Sequence, residues 1–276
     1  MENTQRPRPD WMHFNKLIPN ILTILALCAG MTGIRLALLD RWEHAVLALL
    51  VAAILDALDG RIARILKGSS KFGAELDSLS DFICFGVAPA LILYLWTMQS
   101  FGRFGWMLAL LFSICSALRL ARFNTALDDE DKPAWTRNFF TGSPAPASAG
   151  LVCLPMILYF QTEIGFFREP FLVALFMISV AALMVSPVPT YSFKRIKVAH
   201  NWFLPSMIIA AVVVVALVSA PWTTLSVVLI TYICTIPFSI RAYQRHETEQ
   251  GSGKVDIDAD DGTIVSGVFK QNDDDK

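Results

Sequence analysis

Charge is what this sequence has little of. Only 17% of its 276 residues are Asp, Glu, Lys or Arg, against 54% hydrophobic and 11% aromatic residues, and the mean hydropathy is +0.50. A soluble globular domain carries about 25% charged residues, so that class is excluded. A net charge of −1 lacks the basic excess that nucleic-acid binding needs. Cysteine pairs are missing too. Cys28, Cys84, Cys115, Cys153 and Cys234 each stand alone in an apolar segment, with no CxxC spacing and no histidine nearby. They read as small buried residues, not as disulfides or zinc ligands. The histidines, His13, His44, His200 and His246, are scattered near segment ends and form no ligand cluster.

What is there instead is apolar sequence in runs of membrane-crossing length. Windows of about 20 residues fall at roughly 17–39, 44–66, 76–98, 104–123, 144–161, 170–189, 202–220 and 222–240. The fifth is short and only the Ala220-Pro221 break divides the last two, but eight is the count we adopt. The expected fold is therefore all-α, a polytopic integral membrane helical bundle with about eight transmembrane helices. The first apolar run is too long for a signal peptide and has no small-residue cleavage site behind it, so none is expected.

Lysine and arginine orient the chain. With the N-terminus inside, inner segments hold fifteen of them, Arg61, Arg64, Lys67, Lys71, Arg122 and Lys194 included, while outer loops hold only Arg41, Arg103 and Arg168. That asymmetry places both termini in the cytoplasm. Trp42, Trp96, Trp106, Trp202 and Trp222 sit near segment ends, as interfacial aromatics do. Three parts result: a cytoplasmic segment over 1–16, a transmembrane domain over 17–242, and a tail over 243–276. The tail ends in QNDDDK, is rich in acid and glycine, and reads as disordered.

Against this background stands LDALDGRIARILKGSSKFGAELDSLSD, residues 55–81, with four aspartates. Asp56 and Asp59 are three apart and Asp77 and Asp81 four apart, so each pair shares a helix face. Gly68 and Gly73, in the intervening turn-rich run, supply freedom for a reversal. The four carboxylates can then converge. Unpaired at membrane depth they would cost several kcal/mol each, and Arg61 and Arg64 cannot neutralise all four. One or two divalent cations resolve this. Ligation by carboxylate oxygens alone favours Mg²⁺ or Mn²⁺, with Ca²⁺ admissible, over zinc. Magnesium also prefers ligands that bear phosphate.

Written out, the pattern is Asp56, two residues, Asp59-Gly60, two residues, Ala63-Arg64, eight residues, Gly73, three residues, Asp77, three residues, Asp81. At every specified position it resembles the signature of the CDP-alcohol phosphatidyltransferase family. The resemblance implies a membrane enzyme that moves a phosphatidyl group from CDP-diacylglycerol to an alcohol and releases CMP. It implies that Asp56, Asp59, Asp77 and Asp81 hold two divalent ions, and that Asp81 also takes the proton of the acceptor hydroxyl. It assigns Gly60, Arg64, Ser70 and Gly73 to CDP-diacylglycerol, and adds Asn20 and Thr23 from the IPNILT run. Ser69, Ser70 and Ser78 are not expected to act as nucleophiles, because no base is assigned to them.

Two further segments, ALRLARFN (117–124) and FFTGSPAPASAG (139–150), look like those of the branch of the family that accepts serine. Ser143 and Ala145 depart from it, standing where bulkier apolar residues are expected. That likeness makes Arg119, Arg122, Phe123 and Asn124 the serine-binding candidates, since an arginine fork suits a carboxylate. L-serine and membrane lipid are then the expected partners, a homodimer the expected assembly, and the inner (cell) membrane the location, with the active site facing the cytoplasm. Two other readings stay open: a relative using glycerol 3-phosphate, an inositol phosphate or choline, and a cation-coupled transporter. The small residues Ala26, Gly30 and Gly33 form a stripe that can pack helices within one chain or between two.

Overall fold

The computed structural model describes residues 11–66, 68, 70–127, 139–186, 189–191 and 203–252. Its elements are α1 (Trp11–Leu38), α2 (Trp42–Ile65), α3 (Lys71–Asp81), α4 (Ala88–Trp96), α5 (Arg103–Leu127), α6 (Ala145–Thr162), α7 (Pro170–Val185), α8 (Phe203–Ser219) and α9 (Pro221–Ser252). A π-helical turn, Phe82–Val87, joins α3 to α4, so Lys71–Trp96 is one rod of 26 residues. Eight rods follow among the described residues. Two three-residue strands, β1 (Phe139–Thr141) and β2 (Pro189–Tyr191), pair antiparallel; everything else of regular structure is helical.

Leu17–Leu38, Lys71–Trp96, Arg103–Thr125 and Ala145–Thr162 are long and apolar enough to cross a bilayer. Pro170–Val185, Met207–Ser219 and Pro221–Ile236 are shorter apolar helices. α2 has the length but carries Asp56, Asp59, Arg61 and Arg64, so its polar cargo is what sets it apart from the other rods. Ile21, Leu25, Met31, Leu110, Leu111, Ile114, Val212 and Val214 all point outward. Apolar surface on this scale is covered by lipid: the chain is a polytopic helical membrane protein.

The main core lies between α2, α4, α5, α6 and α7, where Ile92, Leu93, Met98, Phe112, Met156 and Met177 are wholly buried. α1 packs along α2 and also against α3 and α4. The small-residue stripe does this work within the chain. A Cβ on Gly30 would lie 2.6 Å from Cys84 Sγ and 3.2 Å from Cys84 Cα, and one on Gly33 would lie 3.2 Å from the Ala45 carbonyl oxygen. Ala26 is 2% exposed, and its carbonyl accepts from Cys84 Sγ at 3.3 Å.

Two boundaries differ from the sequence reading. α1 begins at Trp11, inside the segment assigned to 1–16. α9 runs on to Ser252, so that ten residues assigned to the tail are helical, because Gln, Arg and Glu here favour helix and after Pro237 no Gly or Pro interrupts before Gly251. The remainder of the tail lies outside the described residues.

Candidate active site

The corner between α2 and α3 frames the entrance proposed for the nucleotide. α2 closes with the Leu66 and Gly68 amides donating to the carbonyls of Ile62 (2.9 Å) and Ala63 (3.0 Å), which satisfies its last turn. α3 opens with Ser70 as N-cap, its Oγ accepting from the Gly73 amide at 3.0 Å. Gly73 therefore lies within the first turn of α3, not in the reversal. Its lack of a side chain serves close approach: a Cβ there would stand 2.8 Å from Asn20 Oδ1 and 3.1 Å from Ser70 Oγ.

Above this entrance the carboxylates meet. Ligand oxygens of Asp56, Asp59 and Asp77 all lie within 4.8 Å of one another, and Asp81 is within electrostatic reach of Asp56 and Asp77. Of the four aspartates expected to converge, the fold brings Asp56, Asp59 and Asp77 into one cluster and leaves Asp81 next to it. Asp59 is 4% exposed and accepts a 2.6 Å hydrogen bond at Oδ2 from the Thr23 hydroxyl. Thr23, itself 4% exposed, was expected to line the nucleotide side; its hydroxyl is turned onto Asp59 and positions it. Asp81 Oδ1 is buried with no hydrogen-bond partner. Three carboxylates spaced as oxygens are around one coordinated cation, and a fourth with an orphaned buried oxygen, are a donor set that can hold a divalent metal. The Thr23 hydroxyl, a neutral donor, holds Asp59, and no ion pair to these carboxylates is present among the described residues of α1, α2 and α3.

The rest of the frame keeps α3 in register. Ser80 Oγ donates to the Thr23 carbonyl at 3.3 Å, so Thr23 ties α1 to α2 through its side chain and to α3 through its backbone. Directly after Asp81 the π-helical turn widens the rod. It directs Cys84 against Gly30 of α1, while a Cβ on Gly86 would stand 2.7 Å from Ser116 Oγ of α5. Wide turns of this kind recur at functional sites. Neither Ser80 nor the π-turn was apparent from the sequence; the pairing of Gly30 with Cys84 across 54 residues is not a periodic signal.

The remaining candidates separate into two groups. On the entrance side, a Cβ at Gly60 would meet nothing within 4 Å, so the backbone of α2 is open to a ligand there. Arg64 lies against this gap, its Nε donating to the Gly60 carbonyl at 2.9 Å. Asn20 is half-buried near Ser70 and Gly73. On the α5 side, Arg119 is half-buried, within electrostatic reach of Asp81, and its Nε has no partner. Arg122 is exposed and donates through Nη1 to the carbonyl of Val185 at 3.1 Å, the last residue of α7, where a cation suits the helix C-terminus. The paired spacing thus divides the two arginines: one faces the carboxylates and the other anchors a neighbouring helix. Asn124 Nδ2 donates to Ser78 Oγ at 2.9 Å, tying α5 to α3 beside Asp77, and Phe123 is half-buried between them in sequence.

A helical, lipid-embedded bundle that gathers three carboxylates, with Asp81 and the half-buried Arg119 within electrostatic reach of one another, defines a class of membrane protein with an acidic site that could hold a metal ion. Sequence comparison says which: residues 16–188 match the family model described as CDP-alcohol phosphatidyltransferase, and residues 201–237 match CDP-alcohol phosphatidyltransferase 2. The chain belongs to the CDP-alcohol phosphatidyltransferase family. It is 40% identical over 237 residues to a Mycobacterium leprae protein named CDP-diacylglycerol–serine O-phosphatidyltransferase, covering 86% of this chain and 79% of the relative. Proteins of the same name are similar from Mycobacterium tuberculosis, at 38% identity over 82% of this chain and 79% of the relative, and from Helicobacter pylori, at 36% identity over 79% and 88%.

Proposed function

We propose that this chain transfers the phosphatidyl group of CDP-diacylglycerol to the hydroxyl of L-serine, giving phosphatidylserine and CMP. The observation that carries this reading is Arg119 beside Asp81: a guanidinium suited to the carboxylate of an amino acid, next to a carboxylate suited to its hydroxyl. The serine-specific name shared by relatives in three organisms supports the same acceptor.

The chain's own residues divide the work. Gly60 leaves room for the nucleotide, and Arg64, with Asn20, Ser70 and Gly73 near the entrance, faces its phosphates. Asp81 accepts the proton of the serine hydroxyl as that oxygen attacks the phosphorus bearing diacylglycerol. The bond from that phosphorus to the CMP oxygen breaks, and CMP departs. Asp56, Asp59, Asp77 and Asp81 would hold one or two divalent ions, Mg²⁺ or Mn²⁺ with Ca²⁺ admissible, which supply neutralisation of phosphate charge. Thr23 keeps Asp59 in place for that role. No residue is needed as a covalent nucleophile.

We also infer that the site opens to the cytoplasm, in the inner (cell) membrane, from the crowding of Lys and Arg on that side. A cysteine introduced at Asp129, in a variant free of other cysteines, should resist labelling from outside intact cells; ready labelling would reverse the orientation. A homodimer would have to use a surface other than the Ala26, Gly30 and Gly33 stripe, which is spent within the chain.

The deciding experiment incubates membranes with CDP-diacylglycerol, a divalent ion and, in turn, labelled serine, glycerol 3-phosphate, an inositol phosphate and choline. Phosphatidylserine from serine alone is the expected product. A lipid formed only from another acceptor would move the chain to another branch, and no lipid product with any of them would favour the transporter reading.

A further inference from the structure

α9 stands apart in sequence from the aspartate signature, yet it reaches the acceptor side of the site. Tyr232 of α9 is half-buried, and its hydroxyl is 3.2 Å from Ser143 Oγ, 89 residues away. Ser143, in the turn before α6, is fully buried. The buried Ser143 hydroxyl needs such a partner, but this pairing does not exhaust the two groups. Two hydroxyls carry two protons, and one hydrogen bond between them uses one. The other has no acceptor among the described residues. Tyr232 is within electrostatic reach of Arg119, whose Nε–H is likewise buried without an acceptor. Two kinds of donor, from α9 and α5, therefore come within electrostatic reach of one another, and neither has a hydrogen-bond acceptor among the described residues. Buried donors are costly to leave unmade, and a carboxylate brought in by the acceptor molecule, which only accepts, fits that need.

We propose that the Ser143–Tyr232 hydroxyl pair and Arg119 together form the subsite for the carboxylate of the amino-acid acceptor, so that α9 is part of the active site and a determinant of acceptor choice. The proposal rests on the reading of serine as acceptor and deepens it. It explains why a small hydroxyl residue, Ser143, occupies a place where a bulkier apolar side chain was expected: an apolar group there would leave the Tyr232 hydroxyl without its partner. It also separates recognition from chemistry, since the pair lies on α9 and the α6 entry while the metal-holding carboxylates lie on α2 and α3.

The test compares wild type with Tyr232→Phe and Ser143→Ala, both of which remove a hydroxyl and little volume. KM for serine and for CDP-diacylglycerol is measured separately, and serine is compared with serinol, which keeps the hydroxyl and amine but lacks the carboxylate. Each variant should raise the serine KM by about 3- to 10-fold, the worth of one hydrogen bond, leave the KM for CDP-diacylglycerol within twofold, and narrow the preference for serine over serinol by a similar factor. A wild type active on serine with both variants unchanged would overturn the subsite alone. Equal rises in both KM values, with the serine-to-serinol preference intact, would reduce the pair to a structural contact. A wild type inert towards serine would overturn the acceptor reading and this inference with it.

Discussion

The two ends of the rod Lys71–Trp96 handle charge in opposite ways. At the Trp96 end, about 22 Å from Asp81 along the axis, the guanidinium of Arg168 lies 5.9 Å from the ring centres of both Trp96 and Tyr159. Those rings meet edge-on at 5.6 Å, and Thr97 Oγ1 donates to the Arg168 carbonyl at 2.9 Å. Glu163 and Glu169 line the same cavity, of about 530 Å³. One cation there is shared among aromatic faces and nearby acids, and the group left unpaired is a neutral indole N–H, Trp96 Nε1. At the other end, four acids are gathered, and the groups left unpaired belong to charged side chains, Asp81 Oδ1 and Arg119 Nε. An unpaired charged group costs far more than an unpaired neutral one. At the Trp96 end the charged groups are met by protein, whereas at the aspartate end charged groups are left without partners among the described residues.

Breaking the aspartate end should give the largest effects. Asp56→Asn, Asp59→Asn and Asp77→Asn each remove a charge from the set proposed to hold divalent ions against the phosphates, so turnover should fall by at least about 100-fold. Excess chelator should abolish it, and Mg²⁺ or Mn²⁺ should restore it. Asp81→Asn should lower kcat by roughly 10²- to 10⁴-fold while CDP-diacylglycerol still binds. The matching change at the far end, Glu163→Gln, should leave kcat within twofold. Full turnover in chelator, or a Glu163→Gln defect as deep as that of Asp77→Asn, would erase the contrast.

Next comes the contact that carries α1 to the aspartates. Gly30→Val would push side-chain atoms into Cys84, where even a Cβ is 2.6 Å from Sγ, and overpacking of this sort costs about 1 to 3 kcal/mol. Because Thr23 on the same helix holds Asp59, activity should fall along with thermal stability. Gly30→Ala should be milder, and Cys84→Ala should partly rescue it by removing the closest atom. A rescue that fails would mean that the backbone contact, 3.2 Å to Cys84 Cα, is what limits the approach.

Much of this end was legible in the chain. Apolar runs of bilayer length gave the rods, and spacings of three and four put Asp56 with Asp59 and Asp77 with Asp81 on shared faces. Helical period states which residues of one helix face the same way, but it does not say what stands opposite. The Thr23–Asp59 bond, the Gly30–Cys84 approach and the Ser143–Tyr232 pair each join distant segments and have no periodic trace. Arg119 and Arg122 show the same limit on a single helix. Three residues apart they seem a pair, yet the packing of α5 gives one to the carboxylates and the other to the end of α7. The turn glycines divided similarly: Gly68 ends α2, whereas Gly73 is needed for closeness to Asn20 inside α3.

That division of the arginines predicts smaller, selective effects. Arg119→Lys keeps the charge and loses the planar fork, so kcat/KM for serine should fall by about 10- to 100-fold, the worth of a charged hydrogen bond, mostly through KM. Arg122→Lys should change serine KM little and lower thermal stability slightly, through the weaker hold on the α7 carbonyl. The reverse ranking in kinetics would place serine recognition on the exposed face of α5.

The smallest effect is expected at the aromatic cage. Arg168→Gln keeps a long polar side chain but removes the cation that Trp96 and Tyr159 share. Contacts of this kind are worth about 0.5 to 1 kcal/mol at exposed sites, and this loop is largely exposed. The Thr97 bond to the Arg168 carbonyl is made to backbone and survives the substitution. A fall of a few degrees at most in the melting temperature in detergent is therefore expected, with kcat and both KM values within twofold of wild type. Arg168→Lys should fall between the two, since an ammonium keeps the charge but cannot stack flat on either ring. A loss of turnover in Arg168→Gln without a loss of stability would mean that the far end of the rod acts on the aspartates, and that its apparent self-sufficiency conceals a functional link along Lys71–Trp96.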